Sequence, residues 1–290
     1  MTDALRARKK LAHIMEQYLE GIIEKNTEYV TLAPACKITF NGEPCLFGDN
    51  VLWHNTLTIR KRQTFFDGEA GGIVFFGVTS NEVLERTEYF QTEEQSAFVS
   101  YAVVIRLKVI DGQIAEIEEL AWSDRYKYFY CLPEDIPLPD PFYDNAVPEE
   151  ERMTREELIE VAESCWQGAF GDLKPRGMMI HPDATRFENG YLVTNHSHSM
   201  RGDFKWNIVL QNGEKGSQIC IPEEYKSYPV VDPARGIVVC FVNMTFKYSD
   251  TLILRIAEAF LVREGSIKRI VAMYPRLHND GGWKKTQKTW

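Results

Sequence analysis

The sequence predicts an α+β protein made of two tandem copies of one unit, in which a curved antiparallel sheet wraps around helices. Three observations lead to this prediction. An amphipathic helix pattern covers residues 3–25 and recurs from Thr154 onward. Matching strand and turn signals follow each helix in the same order. A segment rich in proline and acidic residues, 131–152, separates the two copies.

The two helices are predicted from apolar residues at helical spacing. The first helix carries this stripe at Leu11, Met15, Tyr18, Leu19 and Ile22. In the second, Thr154 and Glu157 have the spacing of a capping box, which marks a helix start. Its stripe consists of Leu158, Val161, Ala162, Cys165 and Trp166.

The segments after each helix also match, which favours a true repeat over two coincidental helices. An Asn-Gly pair follows each helix, and an Asp-Gly or Glu-Gly turn joins each final pair of alternating strands, as in a hairpin. The matched segments are Phe40 to Gly42 with Phe187 to Gly190, Gly72 to Phe76 with Gly236 to Cys240, and Asp111-Gly112 with Glu264-Gly265.

The repeat gives a domain division of 1–130 for the first unit and 153–290 for the second unit with a C-terminal tail. Closely spaced prolines and carboxylates in 131–152 disfavour regular structure. We therefore expect an extended, solvated linker there.

Composition excludes several classes of protein. The chain has 290 residues, of which 44% are hydrophobic and 26% charged, which is ordinary for a globular protein. A net charge of −9 argues against a nucleic-acid partner. No apolar run reaches the length of a membrane span, so we expect a cytoplasmic protein without a membrane partner. The six cysteines lack metal-ligand spacing and are expected to be reduced, and whether the chain forms a homodimer stays open.

The order of helix, middle segment and long strands ending in the hairpin RLKVIDGQIAEIEEL resembles the nuclear-transport-factor-2-like superfamily, which includes SnoaL-like cyclases. That resemblance implies two cone-shaped α+β domains. A narrower resemblance, to a tandem two-domain group that includes bacterial diarylpropane lyases of lignin-dimer catabolism, rests on four segments. They are NGEPCLFGDNVLW, RFENGYLVTN, YPVVDPARGIVV and MYPRLHNDGGW.

The sequence contains no dinucleotide, phosphate-loop or nucleophile-elbow motif, so we expect a cofactor-free reaction without metal, carried out by general acid/base catalysis. The narrower resemblance implies a small hydrophobic phenolic substrate that loses its benzylic hydroxyl to give a quinone methide. Carbon–carbon cleavage then releases formaldehyde and a stilbene. Fold alone does not fix this chemistry.

The densest polar group lies in the second unit. His196 and His198 are two residues apart, so on an extended segment both would face one pocket and serve as acid and base. The same residues are also typical of an exposed loop. Four nearby residues are candidates for substrate binding, with the first expected to meet an anionic group: Arg186, Asn189, Thr194 and Asn195.

Two carboxylates are further catalytic candidates. Glu258 interrupts an apolar strand face, where its pKa would be raised unless a cation from another strand pairs with it. Asp232 precedes a proline and matches Asp67 in the repeat, which also suits a turn-building role. Tyr228 is a candidate hydrogen-bond donor to substrate oxygens.

The first unit has its own polar cluster. Arg60 and Arg62 would hold a phenolate or carboxylate if they share a strand face, although a solvated edge strand predicts the same residues. Trp53 and Tyr101 are candidate substrate contacts, and core packing is the competing interpretation for the aromatic residues. Two other functions stay open: an isomerase, hydratase or cyclase of a polyketide- or steroid-like molecule, and a non-catalytic binding or assembly module.

Overall fold

A computed structural model describes residues 3–82, 98–123, 132–170, 179–194, 219–220, 225–246, 249–277 and 283. The chain divides into two compact units, Met1–Pro139 and Asp140–Trp290. Each is an α+β unit whose sheet packs against a helix.

The described part of the first unit contains two α-helices and six strands. Its elements are α1 (Asp3–Glu24), β1 (Leu32–Phe40), β2 (Glu43–Pro44), α2 (Val51–Asn55), β3 (Thr56–Asp67), β4 (Gly72–Glu82), β5 (Phe98–Ile110) and β6 (Gln113–Ser123). The sheet order is β2-β1-β6-β5-β4-β3. The face that packs against α1, called the inner face here, buries Met15 and Tyr18 of the helix against Phe75, Ile105 and Ile117 of the sheet.

The second unit repeats this plan with one long helix. Its elements are α3 (Arg155–Phe170), β7 (Ile180–Glu188), β8 (Tyr191–Leu192), β9 (Ile219–Cys220), β10 (Ser227–Asp232), β11 (Ile237–Phe246), β12 (Ser249–Arg263), β13 (Ser266–Met273) and β14 (Arg276–Leu277). The main order is β10-β11-β12-β13-β7-β8, with β14 beside β12 and β9 beside β11. The inner face again packs against the helix, through Val161 and Trp166.

The local signals in the sequence are confirmed. Helix α1 ends within one residue of the predicted end. At the start of α3 the Glu157 backbone N–H donates to Thr154 Oγ1 at 3.2 Å, and the Thr154 N–H donates to Glu157 Oε2 at 2.8 Å. These two bonds are the predicted capping box. The hairpin turns lie at Asp111-Gly112 and Glu264-Gly265, all with positive φ.

The predicted antiparallel sheets are mixed. In the first unit β1 runs parallel to β6, and in the second β7 runs parallel to β13. The strand that follows the helix pairs with the last strand of the hairpin, far along the chain. Hydrophobic alternation within a strand carries no information about such a partner or its direction.

The predicted linker is also corrected by the structure. Residues 132–152 contain three short 3-10 helices, Pro133–Asp135, Pro141–Asp144 and Glu149–Glu151. Ile136 and Tyr143 are each only 1% exposed. The segment is therefore packed rather than extended and solvated. The prediction rests on its prolines and acidic residues, but apolar residues lie between them and are buried.

The register of the repeat differs by one residue from the sequence match. Gly71 and Gly236 are the equivalent glycines, since each carbonyl accepts a 2.8 Å hydrogen bond, from Val109 and Val262 respectively. The sequence match had paired Gly72 with Gly236. Val109 and Val262 are therefore equivalent positions. Ile105 and Glu258, which lie four residues before them, are equivalent as well.

The tight approach at Gly236 gives a stability prediction. Gly236 has φ +57°, and an added Cβ would collide with the Val262 carbonyl oxygen. Gly265 has φ +68° but nothing lies within 4 Å of an added Cβ. Gly265→Ala should therefore cost about 1 kcal/mol from backbone strain alone, and Gly236→Ala about 3 kcal/mol. Chemical denaturation of both variants would measure this, and equal losses would contradict the steric explanation.

Candidate active site

The candidate site is a buried carboxylate in the second unit. Glu258 lies on the inner face of β12, between Ile256 and Phe260, and is 0% exposed. Its neighbours across the sheet are Cys240 on β11 and Ala272 on β13. An acid among apolar side chains is rare unless it is paired, so its contacts decide its role.

Among the residues that the structure describes, one cation reaches Glu258. Arg186 on β7 places Nη1 2.6 Å from Oε1 of Glu258. The contact is a close ion pair, and Oε2 has no hydrogen-bond partner in the part of the chain that the structure describes. The sequence had left open a cation from another strand, and the structure identifies it as Arg186.

The same guanidinium also contacts a second carboxylate. Arg186 Nε donates to Glu188 Oε1 at 2.8 Å, and the Tyr274 hydroxyl donates to Glu188 Oε2 at 3.1 Å. One arginine therefore lies between two carboxylates. Because its positive charge is shared, Glu258 is only partly neutralised.

Burial raises the pKa of Glu258 to about 7. The attraction of Arg186 acts in the opposite direction, and the repulsion of Glu188 raises the pKa further. A carboxyl group that exchanges its proton near neutral pH has the property required of a general acid or base.

The remaining neighbours of Glu258 that the structure describes are apolar or weakly polar. Trp166 of α3 meets Phe260 edge to face with 6.2 Å between ring centroids. Burial raises the pKa of the Cys165 thiol to about 12 and that of Cys240 well above its usual range. These thiols stay protonated near neutral pH, so neither is an activated nucleophile.

The first unit buries a different carboxylate. Asn41 and Asn189 donate equivalent backbone hydrogen bonds of 2.8 Å to the carbonyls of Glu119 and Ala272, which makes Glu119 equivalent to Ala272. The Glu119 side chain accepts from Tyr18 Oη at 2.8 Å, Trp53 Nε1 at 2.9 Å and Asn50 Nδ2 at 2.7 Å. Burial raises its pKa, and the three hydrogen bonds lower it. The Glu119 carboxylate thus accepts three hydrogen bonds, whereas Oε2 of Glu258 accepts none from the described residues.

Three predicted substrate contacts have structural partners. Asn189 bonds the backbone of Tyr274 through both its side-chain nitrogen, at 3.0 Å, and its oxygen, at 2.9 Å. Thr194 Oγ1 accepts from the Arg186 N–H at 2.8 Å and donates to the Ala184 carbonyl at 3.1 Å. The Tyr228 hydroxyl donates to Glu163 of α3.

Arg186 and Asp232 also take other roles than expected. The charge that Arg186 was expected to offer an anionic group already faces Glu258 and Glu188. Asp232 pairs with Arg235 at 3.5 Å, three residues on in the same turn. Its equivalent, Asp67, accepts backbone hydrogen bonds two and three residues further along the chain, which supports the turn-building interpretation.

The polar cluster of the first unit does not converge on one point. Arg62 pairs with Glu16 of α1 at 2.8 Å, whereas Arg60 lies 3.8 Å from Glu134 of the first 3-10 helix. Both arginine side chains are more than half exposed. Trp53 is a core residue, 2% exposed, and Tyr101 packs at the edge of the same core.

His196, His198 and Asn195 lie outside the described residues. The two residues that complete the site, Glu188 and Tyr274, were not predicted. The alternation of Arg186 and Glu188 on one strand face could have suggested the first of them. No pattern in the sequence around Tyr274 indicates that its side chain contacts Glu188.

Four described cysteines, Cys36, Cys45, Cys165 and Cys240, are free thiols. The described ranges contain no group of three histidine, cysteine or acidic side chains placed to hold a metal ion. Within the same ranges no helix has the length and apolar character needed to cross a membrane.

Comparisons with known proteins include a family match and a match to a solved structure. Residues 151–274 match a family described as a domain of unknown function, DUF8021, so the match covers most of the second unit and its candidate site. No curated protein matches the chain. A crystal structure of a Bacillus subtilis protein named "Putative Isomerase" has 8% identity and a TM-score of 0.30, covering 42% of this chain and 90% of that one. That score is too low to establish a shared fold.

Proposed function

We propose that the chain is a cofactor-independent lyase or dehydratase that acts on a hydrophobic phenolic molecule by acid/base catalysis in its second unit. The observation that carries the proposal is Glu258, a fully buried carboxylate with a pKa of about 7, whose Oε2 has no hydrogen-bond partner among the described residues. Keeping such a group without full pairing costs stability, which favours a functional reason for it.

The resemblance to diarylpropane lyases supplies the most specific form of the proposal. A phenolic diarylpropane diol would lose its phenolic proton to a base while the benzylic carbon–oxygen bond breaks. An acid supplies the proton with which that hydroxyl leaves as water, giving a quinone methide. A base then takes the proton of the terminal hydroxyl, the adjacent carbon–carbon bond breaks, and formaldehyde leaves. The released electron pair restores the phenol and forms the stilbene, so no oxidant is needed.

Glu258 suits one of these proton transfers. In its ionised form it accepts a proton, and in its neutral form it donates one, with similar populations of both forms near neutral pH. The apolar surroundings strengthen its interaction with a reacting hydroxyl. His196 and His198 remain the proposed partners for the other transfers.

The charges of the site favour a neutral substrate. Two carboxylates face one guanidinium, so the cluster has no spare positive charge for an anion. The unpaired Oε2 of Glu258 can accept a hydrogen bond. We therefore propose an alcohol or phenol as the recognised group rather than a carboxylate or phosphate.

A second candidate function is a non-catalytic binding or assembly module. The first unit favours it, because its buried carboxylate is fully hydrogen-bonded within the core. We propose this structural role for the first unit, alongside chemistry in the second. An isomerase or hydratase would use the same Glu258 on a different substrate.

The test is to incubate the purified chain with phenolic diarylpropane diols and measure formaldehyde together with stilbene absorbance. We expect both products from the free phenol. The methyl ether of the same diol is the matched control, since it cannot form the quinone methide. Release of neither product across the panel would contradict the lyase, and equal release from the ether would contradict the mechanism.

A further inference from the structure

The orientation of Arg186 toward Glu258 is unusual for a buried arginine–carboxylate pair. A guanidinium can bind both oxygens of one carboxylate through two parallel N–H groups, and this arrangement is the strongest of its kind. Here the closest contact with Glu258 is that of Nη1, 2.6 Å from Oε1, while Nε donates to Glu188 at 2.8 Å. The guanidinium is therefore divided between two carboxylates, and Oε2 of Glu258 is left without a partner among the described residues.

Glu188 is itself held in place. Its Oε2 accepts a 3.1 Å hydrogen bond from the Tyr274 hydroxyl. The backbone of Tyr274 is fixed by both side-chain atoms of Asn189, at 3.0 and 2.9 Å. These bonds join the end of β7 to the end of β13, so Glu188 keeps a defined position from which to hold Arg186.

We propose that Glu188 is a positioning residue, which holds Nε of Arg186, prevents the guanidinium from binding both oxygens of Glu258, and so keeps Oε2 open to a ligand hydroxyl. The inference rests on the proposed role of Glu258 and adds a residue that sets it. It assigns Glu188 no contact with the substrate.

The charge states of the other groups around Glu258 also favour this role for Glu188. Among the described residues, the facing titratable and charged groups are Arg186 and Glu188 of β7, Cys165 of α3, Cys240 of β11, Tyr143 of the second 3-10 helix and Tyr274 after β13. Burial raises the pKa of both thiols and both phenols, so these four stay neutral near pH 7. Arg186 and Glu188 are the charged neighbours that remain.

Two substitutions separate the charge of Glu188 from its hold on Arg186. Glu188→Gln removes the charge but keeps an oxygen that can accept from Nε. Glu188→Ala removes both, so Arg186 is free to turn two nitrogens toward Glu258. We expect the proton affinity of Glu258 to fall roughly tenfold in Glu188→Gln and further in Glu188→Ala.

The measurement is an infrared titration of the full chain, following the protonated-carboxyl band that Glu258→Gln removes. It needs no substrate, so its result is independent of whether the lyase assay succeeds. We expect the midpoint of this band to move to lower pH by about one unit in Glu188→Gln and by more in Glu188→Ala. Circular dichroism would confirm that each variant is folded.

Glu118→Gln is the matched control. In the first unit Glu118 accepts from Arg106 Nε at 2.8 Å, and Glu116 contacts the same guanidinium at 3.3 Å. This variant therefore removes one carboxylate from another buried arginine between two acids, and should leave the midpoint of Glu258 unchanged.

Three results would overturn the proposal. One is an unchanged or raised midpoint in both Glu188 variants. Another is an equal shift in Glu188→Gln and Glu188→Ala, which would mean that Glu188 acts by charge alone. The third is the absence of any Glu258 band in the wild type near pH 6, since Glu258 would then be ionised with its oxygens satisfied.

Discussion

Glu258→Gln is expected to lower turnover of a phenolic diol by roughly 100- to 10,000-fold, the usual contribution of a general acid or base. The amide keeps the shape of the side chain but cannot exchange a proton. Arg186 keeps Glu188 as its partner at 2.8 Å, so the variant should fold. Formaldehyde release under saturating substrate measures the loss, and wild-type turnover would remove Glu258 from the mechanism.

The same variant should change how stability depends on pH. The pKa of Glu258 is about 7 in the folded chain and about 4.5 in an unfolded one, so the folded state binds the proton more tightly. The stabilisation that this tighter proton binding gives the folded state is fully present below about pH 4.5 and is lost as pH rises through about 7. As pH rises through that window, the free energy of unfolding of Glu258→Gln should therefore increase by roughly 3 kcal/mol relative to that of the wild type. Urea unfolding of both proteins at several pH values tests this, and a constant difference would contradict a raised pKa.

The second large effect concerns Glu119, for which Glu119→Gln is expected to destabilise the first unit by about 3 kcal/mol. Tyr18, Trp53 and Asn50 all donate to the carboxylate. A glutamine would place its own N–H groups against one of these donors. Asn50 cannot turn its oxygen to accept them, because that oxygen caps α2 by accepting from the Leu52 N–H at 3.0 Å.

Hydrogen exchange measured along β4, β5 and β6 would follow the first unit by itself. Glu119→Gln should speed exchange in these strands, because a buried donor is left without an acceptor. Glu258→Gln serves as the comparison and should leave them unchanged. Equal protection of these strands in the Glu119 variant and the wild type would mean that the three hydrogen bonds contribute little.

The sequence predicts the parts of this fold that are encoded locally. The helix stripes, the capping box of Thr154 and Glu157, and the two hairpin turns each need only a few neighbouring residues. The inner-face position of Glu258 follows in the same way, since alternation along β12 puts it between Ile256 and Phe260.

The rest depends on contacts between distant segments. The parallel pairing of β7 with β13 brings Arg186 and Glu188 next to Tyr274, and no pattern within either strand indicates it. Polar residues in 186–194 suggested substrate contacts, yet Asn189 and Thr194 bond the backbone. A polar side chain can satisfy a strand end as readily as a ligand, so its presence in the sequence does not separate the two uses.

The exchange of acidic positions between the units has an evolutionary consequence. Ile105 occupies in the first unit the place of Glu258 in the second, and Ala272 occupies the place of Glu119. A chain with two such units can keep a fully hydrogen-bonded carboxylate in the interior of one unit and a partly neutralised carboxylate in the interior of the other. A substitution at Glu258 thus changes none of the residues that bond Glu119, so selection can act on the two interior carboxylates separately.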